Sequence, residues 1–138
     1  MFSGCFIHTV DEKNRISLPA RFRDDLEEEV VITAGPEGCL WVLSHDQWNL
    51  LVSRANESVT MQRFFVASAV RVVVGDKGRC LLSDSLRRHA EIKPGDEVVI
   101  VGLGGRIEIW SIARWQEANS QMSMEHARRE LPELFSFS

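Results

Sequence analysis

Two stretches of this chain say nearly the same thing: Val10-Asp11-Glu12-Lys13-Asn14-Arg15-Ile16-Ser17-Leu18-Pro19-Ala20-Arg21-Phe22-Arg23 and Val74-Gly75-Asp76-Lys77-Gly78-Arg79-Cys80-Leu81-Leu82-Ser83-Asp84-Ser85-Leu86-Arg87. Lys13 and Lys77, Arg15 and Arg79, Leu18 and Leu82, Phe22 and Leu86, and Arg23 and Arg87 match at an offset of 64. Downstream the offset drifts, as loop-length changes make it do. Residues 30–33 answer 98–101 at 68, and residues 40–44 answer 107–111 at 67, with Trp48 answering Trp115. The chain is a duplication of one unit.

Each copy parses alike. A β-prone run (5–10; 70–74) reaches a polar turn and leaves it as a short strand (15–18; 79–82). Asn14 and Gly78 fall at matching turn positions, and both residue types tolerate a left-handed backbone. Pro19 and Ser83 stand where a short helix begins, over 20–26 and 84–90. Two more strands follow, joined by Gly35-Pro36-Glu37-Gly38 in the first copy and by 102–106 in the second. Gly104 and Gly105 lack phosphate-loop spacing and read as a hairpin turn.

Helical spacing predicts helices over 46–56 (Trp48, Leu51 and Val52 on one face), over 60–69 (Met61, Phe64, Phe65 and Ala69), and from about 112 to 131, with Trp115, Met122 and Met124. These apolar faces are expected to pack into the core. Residues 132–138 read as a loose tail whose Leu134, Phe135 and Phe137 could dock on a neighbour. The expected divisions are a first unit at 1–53, a helical connector at 54–69, a second unit at 70–118, and a C-terminal helix and tail at 119–138. Four short strands bury little by themselves, so the copies are expected to share one β core about a pseudo-two-fold axis. The fold class is α+β.

The 138 residues are 44% hydrophobic and carry a formal charge of −4. That excludes a disordered chain, and no apolar run approaches the roughly 18 to 20 residues of a membrane span. The N-terminus shows neither the basic nor the long apolar region of a signal peptide, so a cytoplasmic protein is expected. Charge is unevenly spread: +2 over 1–23, −7 over 24–53, +4 over 54–93 and −3 over 94–138. Cys5, Cys39 and Cys80 have no metal or disulfide spacing and read as small buried hydrophobes. Neither a metal, a cofactor, a small-molecule substrate nor an enzymatic nucleophile is indicated.

Within the matched turns, residues two apart along an extended segment share a face. Lys13 and Arg15 could thus share one face. If the copies pair about a pseudo-two-fold axis, the two turns are expected to lie close together at one end of the β core. There Lys13, Arg15, Lys77 and Arg79 would form one basic patch, with Arg21, Arg23, Arg87 and Arg88 near its base and Asp11 orienting Arg15. Such a patch suits DNA phosphates and guanine edges. The same residues also read as a solvated hairpin closed by an Asp–Arg pair, and pattern alone carries both.

Met1-Phe2-Ser3-Gly4, Asp11 to Arg15 with Ser17 and Pro19, Arg21-Phe22-Arg23, and the second Gly-Arg turn together resemble the MraZ proteins over roughly residues 1 to 118. Residues 43–48, and 101–103 through 109–110, resemble the segments that close that family's two units. The resemblance implies two tandem AbrB-like units forming a pseudo-symmetric, barrel-like β core with flanking helices, assembled into a ring-shaped homo-oligomer. It further implies a bacterial, nucleoid-associated transcriptional regulator. Such a protein binds repeated G-rich promoter boxes on double-stranded DNA through D-x-x-x-R turns, usually repressing its own cell-division and cell-wall operon. By it, Lys13 and Arg15 are the leading DNA contacts, followed by Lys77 and Arg79, with Asp11, Asn14, Asp76 and Gly78 shaping the turns. Two departures stand out. Gly75 occupies the second Asp position with Asp76 one residue later, and Asn14 replaces the family's Gly. A different use of the scaffold, an antitoxin-like interaction module, is suggested by the acidic stretch 24–29 and the Phe-containing tail.

Overall fold

The computed structural model describes residues 1–120 and 122–135. Eight strands form in the order expected: β1 Phe2–Thr9, β2 Arg15–Ser17, β3 Glu29–Ala34, β4 Leu40–Leu43, β5 Val70–Val73, β6 Arg79–Leu81, β7 Glu97–Gly104 and β8 Ile107–Ser111. Six make an antiparallel sheet, β1-β7-β8-β4-β3-β5, and β2 pairs with β6 in a separate ribbon. The order exposes how the duplication is used. The first strand of each copy leaves its own unit: β1 pairs with β7, and β5 pairs with β3. The copies meet again where β4 pairs with β8, centred on Trp41 opposite Glu108. Neither copy completes the sheet without the other.

One face of the sheet and the ribbon enclose the main core. Ile16, Leu18 and Phe22 from the first copy lie with Cys80, Leu82 and Leu86 from the second, beneath Val30, Ile32, Val98, Ile100, Ile107 and Ile109. Phe22 is fully buried, edge-on to Phe2 at 5.6 Å and to Phe6 at 5.4 Å. Burying a side chain of this size contributes about 2–3 kcal/mol. A smaller cluster on the opposite face gathers Cys39, Val99, Val101 and Trp110 with Trp41, Ile112 and Trp115. Inside it the nearly buried Glu108 accepts hydrogen bonds from Trp41 Nε1 (2.9 Å), Trp110 Nε1 (2.9 Å) and Arg106 Nε (3.0 Å). Arg106 also stacks on the Trp41 ring at 4.4 Å. A buried carboxylate is tolerated when it is paired in this way.

Helices fill the connections. α1 (Ala20–Arg23) is shorter than the expected 20–26. α2 (His45–Ala55) opens on a full capping box between Ser44 and Gln47. The helix expected over 60–69 forms as α3 (Val59–Met61) running into a π turn, Gln62–Val66. That turn puts Phe65 on the Trp41 ring, stacked at 5.1 Å, and leaves Met61 and Phe64 outward. α4 (Asp84–Ala90) starts at the Ser83 cap.

The long helix expected from 112 to 131 is broken into α5 (Ile112–Ala118) and α6 (Met124–Glu130). Asn119 Nδ2 donates to Trp115 O and Ser120 Oγ to Glu117 O, local bonds that compete with helix continuation, and Ser123 Oγ caps α6. Met122 and Met124 are therefore exposed, not core residues. Residues 132–135 form a short turn, and Phe137 of the expected docking tail lies outside the described residues. Cys39 and Cys80 are buried, whereas Cys5 shares the outward parity of Ser3 and Ile7 on β1 and is exposed. Among the described residues no helix is long and apolar enough to cross a membrane.

Candidate nucleic-acid interface

The ribbon joins the duplicated turns but does not cluster them at one end. β2 and β6 run antiparallel, so the turn before β2 lies beside Leu82 and the turn before β6 beside Leu18, at opposite ends. Arg15 faces Leu81, Ile16 faces Cys80, and Ser17 faces Arg79 across β2 and β6. Two bonds extend the pairing symmetrically: Leu18 N–H donates to Gly78 O and Leu82 N–H to Asn14 O, both at 2.9 Å. Ile16 and Cys80 point into the core, so alternation turns Arg15, Ser17, Arg79 and Leu81 to the outer face. Arg15 and Arg79 thus share that face. Lys13, by contrast, lies in the turn before β2 and not on an extended segment, so its two-residue spacing from Arg15 does not put the two on one strand face. Ser17 and Leu81 lie there too, although the sequence reading passed over them. Their parity was visible; their cross-strand pairing was not.

The first turn is held by its aspartate. Asp11 Oδ1 accepts the N–H groups of Lys13 and Arg15, each at 2.9 Å, and Oδ2 accepts Arg15 Nε at 2.9 Å. The Arg15 backbone N–H, with help from the Arg15 side chain, holds the Asp11 carboxyl below its ordinary range. Asn14 is left-handed (φ 62°), and its Oδ1 is buried without a hydrogen-bond partner.

The second turn has the same backbone frame without that brace. Gly78 is left-handed (φ 71°), matching Asn14, but Lys77 is left-handed as well (φ 59°), which Lys13 is not. Among the described residues Asp76 makes no ion pair with Arg79, and the side chains of Lys77 and Arg79 have no polar partner. Lys13 and Lys77 both project into solvent.

The basic residues near the base divide. Arg21 is exposed, with its guanidinium 5.6 Å from the Phe6 ring centre on β1. Arg23 Nε instead donates to Leu18 O at 2.9 Å, and Arg87 Nε to Leu82 O at 3.0 Å. Arg88 Nε donates to Asp84 O at 3.4 Å. Under the ribbon, burial pushes the Cys80 thiol up to about 11, so it stays protonated at neutral pH. Among the described residues no group of three or more His, Cys, Asp or Glu is placed to hold a metal ion.

A family model described as MraZ protein, putative antitoxin-like, matches residues 1–63 and again 65–133, one match for each copy of the repeat. A protein of Lachnoclostridium phytofermentans named Transcriptional regulator MraZ is 37% identical over 96% of each chain. Its namesakes in Pediococcus pentosaceus, at 39% identity over 85% of each chain, and in a Thermoanaerobacter species, at 34% over 97% of this chain and 99% of that one, are similar in the same way. With both copies matched and full-length relatives above 30% identity, the chain belongs to the MraZ family.

Proposed function

We propose that this protein is a sequence-specific, DNA-binding transcriptional regulator, and that its two turns form the DNA-contacting surface. The observation that carries this is the β2–β6 ribbon, which sets the two duplicated Lys–Arg turns at its opposite ends with Arg15 and Arg79 two rungs apart on one outer face. A two-stranded ribbon fits the major groove, and Arg is suited to guanine O6 and N7. In this reading Arg15 reads bases from a fixed geometry, Lys13, Lys77 and Arg21 contact phosphates, and Arg79 contributes from a looser turn. Residues 1–53 and 70–118 act as the paired units, joined through 54–69, with 119–138 as an appendage.

The target is a set of repeated G-rich promoter boxes before the protein's own cell-division and cell-wall operon, which it represses, in the cytoplasm at the nucleoid. Repeated boxes call for repeated copies, so the working form is a ring homo-oligomer. The exposed Val73 and Leu81, which line a groove with Val70 beside the end strand β5, support self-association. Fluorescence anisotropy with a duplex of G-rich direct repeats, at several salt concentrations, tests the assignment. Expected is tight binding that weakens steeply with salt; affinity no better than for a scrambled duplex overturns it.

A second reading, an antitoxin-like module whose main partner is a protein, is favoured by one observation. Met122, Met124, Leu131 and Leu134 are all exposed along the C-terminal segment. A stoichiometric partner recovered without any dependence on DNA would establish it.

A further inference from the structure

We infer that Arg23 is a positioning residue for the turn of the opposite copy, an inference that rests on the DNA-binding reading for its functional consequence but not for its geometry. Arg23 closes α1 and aims its guanidinium back at the chain, with Nε on Leu18 O at 2.9 Å. The N–H of the same Leu18 holds Gly78 O, also at 2.9 Å. Gly78 in turn lies flat against this pair: a β-carbon there would run into Arg23 Nε and come within 2.9 Å of Leu18 O. Leu18 and Arg23 of the first copy therefore make the seat on which the second copy's turn rests. Arg23 also lines a groove with Gly75, Asp76 and Lys77, so its influence reaches the exposed lysine of that turn.

The arrangement occurs twice. At the offset of 64, Arg87 Nε donates to Leu82 O, and Leu82 N–H donates to Asn14 O in the first turn. Side chains that recur at equivalent positions with equivalent acceptors are part of the design of the duplication. In each copy a last-turn arginine, Arg23 of α1 or Arg87 of α4, fixes the carbonyl of the residue whose N–H fixes the other copy's turn. The Nε of Arg23 is committed inward, so its contribution to DNA binding runs through Lys77 and the second turn.

The test uses the full chain, with R23K keeping the charge and removing the planar fork. Without DNA, hydrogen–deuterium exchange should rise in residues 74–80 while residues 10–16 keep wild-type exchange. Unchanged exchange in 74–80 overturns the inference, whatever the protein binds. With the G-rich duplex, R23K and K77A should each weaken binding, and together by less than the product of the two. A coupling of about threefold or more is expected, whereas R23K with K13A should multiply freely. R23Q should leave the salt slope near wild type, while K77A lowers it by about 1. Free multiplication of R23K with K77A, or a slope lost in R23Q, would make Arg23 a direct phosphate contact and overturn the inference. If R23K melts too early to study, G78A presses on the same seat from the other side and should raise exchange in the same segment. Should the wild type bind no such duplex, the DNA reading fails and the exchange measurement alone decides the seat.

Discussion

The turn at 11–15 and its counterpart at 75–79 share one backbone frame and differ in what holds it. In both, the first residue's N–H donates to the carbonyl four residues on (3.0 Å for Asp11 to Arg15, 2.9 Å for Gly75 to Arg79), and the fourth residue's N–H returns to the first carbonyl at 3.1 Å. Only the first turn adds a carboxylate that takes three further donors and ties the Arg15 guanidinium to the loop. The second turn has Gly75 there, spends a left-handed conformation on Lys77, and leaves Arg79 untethered. Duplication thus supplied two copies of a scaffold, and the side chains then braced one turn and left the other without that brace. A pre-ordered arginine loses less freedom on binding, so the DNA-binding function proposed above assigns base contacts to the first turn and phosphate contacts to the second.

The largest effect should come from breaking the braced turn. Arg15→Ala is expected to cost about 2 kcal/mol of DNA affinity, roughly thirtyfold, and to relax preference for the G-rich box. Arg79→Ala should weaken binding only a few-fold, about equally on specific and scrambled duplexes. Anisotropy titrations of both variants on both duplexes measure this. Equal losses and equal specificity changes would abolish the distinction between the turns. Asp11→Asn should behave like a milder Arg15→Ala, because it weakens the charge-assisted bond without removing the arginine.

The scaffold was legible in the sequence because the matched positions obey packing. Leu18 and Leu82, and Phe22 and Leu86, all lie in the shared core, and their chemistry cannot drift far without leaving a cavity. Arg15 and Arg79 were legible as a pair through the repeat offset of 64, but the antiparallel pairing that parts their turns to opposite ends of the ribbon was not. The exchange of β1 and β5 between copies was not, since local periodicity records which face is buried and nothing about which strand lies alongside. Glu108 shows the same limit. Between Ile107 and Ile109 its parity suggests solvent, yet Trp41, Trp110 and Arg106 cover that face too. Likewise, Arg23 and Arg87 look like any basic residues in the last turn of a short helix until their acceptors are seen.

Exchanging the left-handed residues sharpens the comparison next. Asn14→Gly should stabilise by about 1 kcal/mol, because it relieves a left-handed non-glycine backbone and removes a buried, unpartnered oxygen. Gly78→Asn should cost about 1–2 kcal/mol, since any side chain there meets Arg23 and Leu18. Urea unfolding of the two variants gives the sign of each. A smaller gain should follow from building the missing brace. A β-carbon at Gly75 would meet only Arg79 O, at 3.6 Å, so Gly75→Asp fits. It should tether Arg79 and improve DNA affinity by about threefold, with most of the gain lost on adding Arg79→Ala.

The smallest expected effect concerns pH, and it too separates the copies. His8 on β1 occupies the place that Val72 takes in the second copy. Burial lowers its pKa below the ordinary 6.5, and the charge of Arg23 lowers it further, against a hydrogen bond with the Ser17 backbone that raises it. The folded imidazole therefore holds its proton less tightly than the unfolded chain does. Its contribution to stability is complete above about pH 6.5 and is lost as pH falls through the lower, folded value. Melting temperatures between pH 7.5 and pH 5 should decline in the wild type and decline less in His8→Gln. Because a protonated His8 would repel the arginine that seats Gly78, acidification should also raise hydrogen exchange in 74–80 before it does so in 10–16. An equal rise in both segments would mean that His8 senses pH without reaching the second turn.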